Sequence, residues 1–161
     1  MRQYLDIHGA PHERPEGAPA IWRIGGYGVI ERDGSLLMVE TILPSRWRWD
    51  LPDGDIHLDP EETILEGIAR EMLEETGYQF SPDATTPGLV DDAFMRPPSG
   101  AYWHILTFAV RGSVGADPDP DWVRTGDEIS QLSWVDPGTL RRSDMVPPHW
   151  NLLERLGYVS Q

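Results

Sequence analysis

The 161-residue chain contains no cysteine and no lysine. Without cysteine there is no disulfide, no thiolate metal ligand and no sulfur nucleophile, which fits cytoplasmic residence. Without lysine every fixed side-chain cation is an arginine, 13 in all against 27 acids, for a formal net charge of −14. A field of that sign argues against non-specific binding to nucleic acid or to an anionic membrane surface, because both need a basic patch. It leaves room for a small phosphorylated substrate, since a divalent cation can invert the local potential of an acidic cleft. No run approaches the ~18 apolar residues of a membrane span. Residues 1–19 lack the apolar core of an export signal. No internal repeat is present. With 39% hydrophobic and 25% charged residues, the chain has the composition and length of a single globular domain. Residues 1–20, rich in Pro, Gly and charge, are expected to form an irregular arm, and residues 21–161 one domain.

What is present concentrates between Leu51 and Tyr78, LPDGDIHLDPEETILEGIAREMLEETGY. The pattern predicts a helix from about Thr63 to Thr76. Thr63 and Glu66 have capping-box spacing, Asp59-Pro60 offers an alternative start, and Gly77 suits a left-handed C-cap. Ile64, Leu65, Ile68, Met72 and Leu73 form an apolar stripe at helical spacing. On such a helix Glu71, Glu74 and Glu75 overhang one edge. Like charges three and four residues apart are destabilising unless solvated or bridged by a cation. Oxygen-only ligands suit a hard ion, Mg²⁺ or Mn²⁺.

Elsewhere Ile21–Ile30 and Ser35–Glu40 read as strands joined by an Asp33-Gly34 hairpin turn. Arg46–Leu51 alternates, with Arg46, Arg48 and Asp50 on one face and Trp47, Trp49 and Leu51 on the other. The two arginines could grip phosphate, or lie on an exposed strand face. Phe80–Pro87 reads as a turn-rich connection, and Gly88–Met95 and Ala101–Arg111 as strands. His104 reads as a satisfied core or rim histidine. Gly112–Thr125 reads as a mobile loop, Glu128–Val135 as a strand, and His149–Leu156 as a closing helix after the Pro147-Pro148 stop.

Glu62, seven intervening residues and then Arg70-Glu71-Met72-Leu73-Glu74-Glu75-Thr76-Gly77-Tyr78 resemble the second half of the Nudix hydrolase signature at every fixed position. Leu51-Pro52-Asp53-Gly54 is similar to its usual Leu-Pro-Gly-Gly opening. Asp53 replaces a glycine, and seven residues rather than five separate Gly54 from Glu62. The resemblance implies an α/β fold, the Nudix α/β/α sandwich with a mixed β-sheet. It implies Glu71 and Glu75 as metal ligands, with Glu74 completing the site or acting as base. It implies Arg70 as the group orienting Glu74 or Glu75, Glu62 as the tie between loop and helix, and Gly77 as the stop. Glu128, beside Asp127, is implied as a further ligand or catalytic base. Gly54, with Arg46 and Arg48, is assigned to substrate binding.

The activity so implied is Mg²⁺-dependent hydrolysis, with Mn²⁺ as the alternative, of a nucleoside triphosphate or another nucleoside diphosphate derivative. The partner is then a small-molecule nucleotide, and a homodimer is expected because many relatives dimerise. The same fold also serves non-catalytic nucleotide-binding modules, but these usually erode the Arg-Glu and Glu-Glu pairs that stand intact here. An isopentenyl diphosphate isomerase would require the cysteine that this chain lacks.

Overall fold

Asp33 and Gly34 adopt positive φ angles of 50° and 77°, the conformation of a tight two-residue hairpin turn. In the computed structural model they join β3 (Ala20–Arg32) to β4 (Ser35–Thr41), pairing Arg32 with Ser35 and Glu31 with Leu36. The structure describes residues 3–6, 8–41, 47–57, 62–83, 89–119, 121–122 and 129–160. Around the hairpin, in chain order, are β1 (Gln3–Asp6), β2 (Pro11–Glu13), β5 (Trp49–Asp50), β6 (Asp53–Asp55), α1 (Ile64–Thr76) and β7 (Phe80–Pro82). β8 (Leu89–Arg96), β9 (Tyr102–Val114), β10 (Ile129–Val135), two 3₁₀ turns and α2 (Pro147–Arg155) follow.

The strands form one mixed sheet in the order β10-β4-β3-β9-β8-β1-β2. β5 extends it from β4, β6 from β3 and β7 from β9. β3 and β9 run parallel from Ala20 opposite Tyr102 to Ile30 opposite Gly112. Strand parity then sorts the core onto two faces. Tyr27, Val29, Leu36, Met38 and Ala109 pack with Trp150, Leu152 and Leu153 of α2. Ile30, Leu37 and Val110 pack with Ile68 and Met72 of α1. The result is the sandwich that the resemblance implied, one helix on each face.

β3 carries glycine where α1 presses closest. A Cβ on Gly26 would overlap Ile68 and Ile56, and one on Gly28 would overlap Met72. Gly26 does not need its conformational freedom, because its φ is not positive. Gly26→Ala is therefore expected to cost about 1–3 kcal/mol through overpacking, read as a lower midpoint in urea at unchanged slope.

Several expectations change. Residues 3–6 and 11–13 are strands rather than an irregular arm; β1 pairs with β2 and, in parallel, with β8. Phe80–Pro82 is a strand on β9 rather than a turn. The regular strand expected over Arg46–Leu51 shrinks to Trp49–Asp50, although Trp47 and Leu51 are buried. Leu65 and Leu73 are exposed, so the buried stripe of α1 is narrower than its sequence suggests. Pro147 opens α2 instead of stopping a segment, as proline's fixed φ and missing N–H allow in a first helical turn. Within the stretch expected to be a mobile loop, Gly115 O and Ala116 O accept from Arg32 of β3, Asp119 N–H donates to Gly77 O at 2.8 Å, and Trp122 Nε1 to Glu74 O at 3.1 Å.

Candidate active site

α1 begins and ends where local chemistry dictates. Glu66 N–H donates to Thr63 Oγ1 (3.3 Å), and Thr63 N–H donates back to Glu66 Oε2 (2.8 Å). Asp59 and Pro60, the alternative start, lie outside the described residues. At the other end Gly77 takes φ 71° and its N–H reaches Leu73 O. These caps set the helix phase and so aim Glu71 and Glu75 together at β6.

The backbone of β6 receives both carboxylates. Asp53 N–H donates to Glu75 Oε2 at 2.9 Å. Gly54 leaves the space that the Glu71 carboxylate occupies, since a Cβ there would collide with it. β6 is itself registered on β3, with Gly54 opposite Gly26 and Asp53 opposite Tyr27. The Leu-Pro-Asp-Gly segment thus works through backbone and empty space at its last two positions.

Arg70 locks this arrangement from the side. Its Nε and Nη2 clasp the two oxygens of Glu62 at 2.8 and 3.1 Å. Nη1 donates to Glu71 Oε1 at 2.6 Å, and Nη2 to Asp55 O at 3.2 Å. Hydrogen bonding to Arg70 holds Glu62 below the usual carboxylate range, while Glu62 and Glu71 raise the guanidinium above its own. Glu62 also accepts from the His57 backbone and so ties loop to helix. Sequence reasoning gave Arg70 the task of orienting Glu74 or Glu75. Arg70 hydrogen-bonds Glu71 and also ion-pairs with Glu74 at 3.7 Å, whose side chain is 52% exposed, while Glu75 accepts from Asp53 N–H.

Glu71 and Glu75 line a cleft of about 460 Å³ together with Arg23, Tyr27, Asp53, Gly54 and Asp55. Arg23 is ion-paired with Asp55, and its guanidinium lies 4.2 Å from the centre of the Trp103 ring. A smaller cavity of about 210 Å³ adjoins the cleft and shares Tyr27, Asp53, Trp103 and Ile105 with it. Met95, Ala93, Val146 and Pro148 make its walls largely apolar, with Asp50 and His149 as polar members.

A buried polar chain runs between the two spaces. His149 Nδ1 contacts Asp50 Oδ1, which also accepts from Leu51 N–H. His149 Nε2 lies 2.6 Å from the Tyr27 hydroxyl, which also bonds the Asp53 carboxylate. Burial, followed by the Asp53 charge and hydrogen bond and the Glu75 charge, raises the Tyr27 phenol well above its usual value. Burial lowers the His149 imidazole to about 3, so it is neutral at pH 7.

A histidine whose folded pKa is depressed binds more protons unfolded, so its contribution to stability is present above about pH 6.5 and is lost as pH falls toward 3. Lowering the pH from 7 to 5 is expected to cost about 2 kcal/mol at this residue. Urea titrations at the two pH values check this, and the dependence should flatten in His149→Phe. Glu62 and Glu66, lowered by Arg70 and Thr63, add losses of the same sign at lower pH.

Among the described residues no three His, Cys, Asp or Glu side chains converge as a preformed ion cage. The donor set nevertheless fits Mg²⁺, which binds through one or two carboxylates while keeping waters and taking substrate phosphates. The structure brings Glu62, Arg70, Glu71, Glu75 and Gly54 together, with Glu74 at the rim. Arg48 is not brought in; it pairs with Glu40 at 2.6 Å and is 60% exposed. Arg46, Asp127 and Glu128 lie outside the described residues. Arg23, Tyr27, Asp50 and His149 were missed. Strand parity offered one signal, because Arg23, Gly25 and Tyr27 alternate on one face. His149 and Asp50 had none, being 99 residues apart.

Residues 22–156 match the model of the NUDIX domain. A putative 8-oxo-dGTP diphosphatase of Bacillus subtilis (strain 168) is 33% identical over 92 residues, 57% of this chain and 52% of that protein. Phosphatase NudJ of Escherichia coli (strain K12) is 39% identical over 54 residues, 34% of each protein. The chain thus spans about half and about a third of these two curated relatives. Among solved structures, a NUDIX hydrolase from Nitrosomonas europaea superposes with TM-score 0.63 at 26% identity, covering 84% of this chain and 90% of that one. The MutT protein of Methanosarcina mazei Go1 gives 0.57 at 26% identity, covering 84% and 93%.

Proposed function

This chain belongs to the NUDIX domain family, and from that premise we propose that it hydrolyses the diphosphate linkage of a nucleoside triphosphate or another nucleoside diphosphate derivative. The products are a nucleoside monophosphate with pyrophosphate, or with a phosphorylated second group. The observation that carries the reading is the fixation of Glu71 and Glu75 by β6 at the wall of one cleft. Relatives named as an 8-oxo-dGTP diphosphatase and a phosphatase support the same class of chemistry.

Glu71 and Glu75 would hold the Mg²⁺, or Mn²⁺ in its place, which when bound would offset charge on non-bridging oxygens and lower the pKa of a water. Gly54 admits the Glu71 carboxylate, and Arg70, braced by Glu62, fixes its direction. Arg23, across the cleft, offers the guanidinium that sequence reasoning sought in Arg46 and Arg48. Glu74 at the rim and Glu128 are the carboxylates proposed to remove the water's proton; such neighbouring acids titrate as a set. The adjoining apolar cavity receives the base.

The test is turnover of a panel of ribo- and deoxyribonucleoside triphosphates, nucleoside diphosphate sugars and dinucleotides, with Mg²⁺, with Mn²⁺ and with chelator. Metal-dependent release of nucleoside monophosphate from at least one class is expected. Binding without turnover across the panel would refute the hydrolase reading.

A further inference from the structure

The polar chain Asp50–His149–Tyr27–Asp53 has no part in the metal chemistry just described, yet it grips both ends of the turn on which the site depends. Asp50 and Asp53 bracket Leu51-Pro52, and Asp53 N–H is the donor that holds Glu75. Gly54, the next residue, forms the seat of Glu71. His149 contacts Asp50 directly and reaches Asp53 through the Tyr27 hydroxyl. It projects from α2, on the sheet face opposite α1. Its side chain is only 7% exposed, and its ring packs edge-on against Tyr27 with centroids 4.6 Å apart. The neutral imidazole and the Tyr27 hydroxyl carry two protons over three contacts: Nδ1–H donates to Asp50 and the hydroxyl proton is shared between Nε2 and Asp53, so removing either group leaves a polar acceptor unsatisfied. The backbone also ties the turn: Asp50 pairs with Val39, Asp53 with Tyr27, and Gly28 N–H donates to Pro52 O at 3.2 Å; the side-chain chain adds a hold from α2.

We propose that His149 and Tyr27 are positioning residues for the metal site: from α2 and β3 they pin the Asp50–Asp53 turn, and the turn in turn sets Glu75 and Glu71. The assignment rests on the metal-binding reading of those glutamates. It makes α2 a working part of the site. Partners behind the direct ligands usually set metal affinity within a factor of 10–100. Removing the Tyr27 hydroxyl or the His149 imidazole then weakens metal binding even though both ligands remain.

The experiment measures Mn²⁺ binding to the substrate-free protein by electron paramagnetic resonance. Wild type is compared with Tyr27→Phe, His149→Phe, the double variant and Leu153→Val, which loosens α2 without touching the chain. Tyr27→Phe keeps the ring and removes one oxygen, so it reports even where His149→Phe folds poorly. Affinity about tenfold weaker in each single variant is expected. The double variant should be no weaker than the worse single one, because both act through one path, and Leu153→Val should bind as wild type does. Unchanged affinity in Tyr27→Phe, additive losses in the double variant, or an equal loss in Leu153→Val would overturn the proposal. Failure here would leave wild-type Mn²⁺ binding and turnover intact. A wild type that binds no Mn²⁺ would instead sink the metal-site reading itself.

Discussion

Glu75→Gln is expected to lower kcat roughly 10²–10³-fold at saturating Mg²⁺ while the thermal midpoint stays close to that of wild type. The substitution is nearly isosteric, and the glutamine carbonyl can still accept the Asp53 N–H that now reaches Glu75 Oε2 at 2.9 Å. Position is therefore kept and the charge alone is lost. Glu71 and Glu75 stand together at the cleft wall, and on the proposed reading each supplies a large share of the protein's hold on a divalent ion. Charge stabilisation by such an ion is worth several kcal/mol in the transition state, and each 1.36 kcal/mol is a factor of ten in rate. Steady-state kinetics over a range of Mg²⁺ concentrations measure the effect. Activity within a few-fold of wild type would remove Glu75 from the metal site.

Gly54→Ala is expected to lower kcat/KM about 100-fold, by displacing a carboxylate rather than deleting one. The backbone at Gly54 does not have positive φ, so alanine brings no conformational strain of its own. Its methyl group would fall on the Glu71 carboxylate. Glu71 cannot retreat freely, because Arg70 Nη1 holds its Oε1 at 2.6 Å and Arg70 is clasped by Glu62. Either Glu71 leaves Arg70 or β6 shifts on β3, and a misplacement of about 1 Å can cost 10²-fold in rate. The loss should come with a higher Mg²⁺ requirement. Wild-type kinetics in Gly54→Ala would show that Glu71 works from some other position.

The parts legible in the sequence are those settled within a few residues. The caps at Thr63 and Gly77, the glutamate edge of α1 and the Asp33-Gly34 turn follow from short-range hydrogen bonds and φ preferences, and the structure has them where they were expected. The rest depends on partners distant in the chain. β6 is made of Asp and Gly, poor strand formers, and is a strand because Gly25–Tyr27 supplies its pairing. β1 acquires its form from β8 at the sheet edge. Of the two readings left open for Arg48, a phosphate grip or an exposed strand face, the structure has it exposed beside Glu40. His149 meets Tyr27 across 122 positions of sequence, and no local pattern encodes such a meeting. Arg70 lies within ion-pair distance of Glu74, but its shorter bonds to Glu62 and Glu71 depend on loop residues that helical spacing does not encode.

The central claim is that Glu71 and Glu75 hold a divalent ion at the cleft walled by Asp53 and Gly54. Anomalous diffraction from crystals grown with Mn²⁺ and a non-hydrolysable nucleoside triphosphate tests it most directly. The account predicts an anomalous peak at coordination distance from both carboxylates and from a phosphate oxygen. An active protein whose Mn²⁺ peak lies away from Glu71 and Glu75 would contradict it.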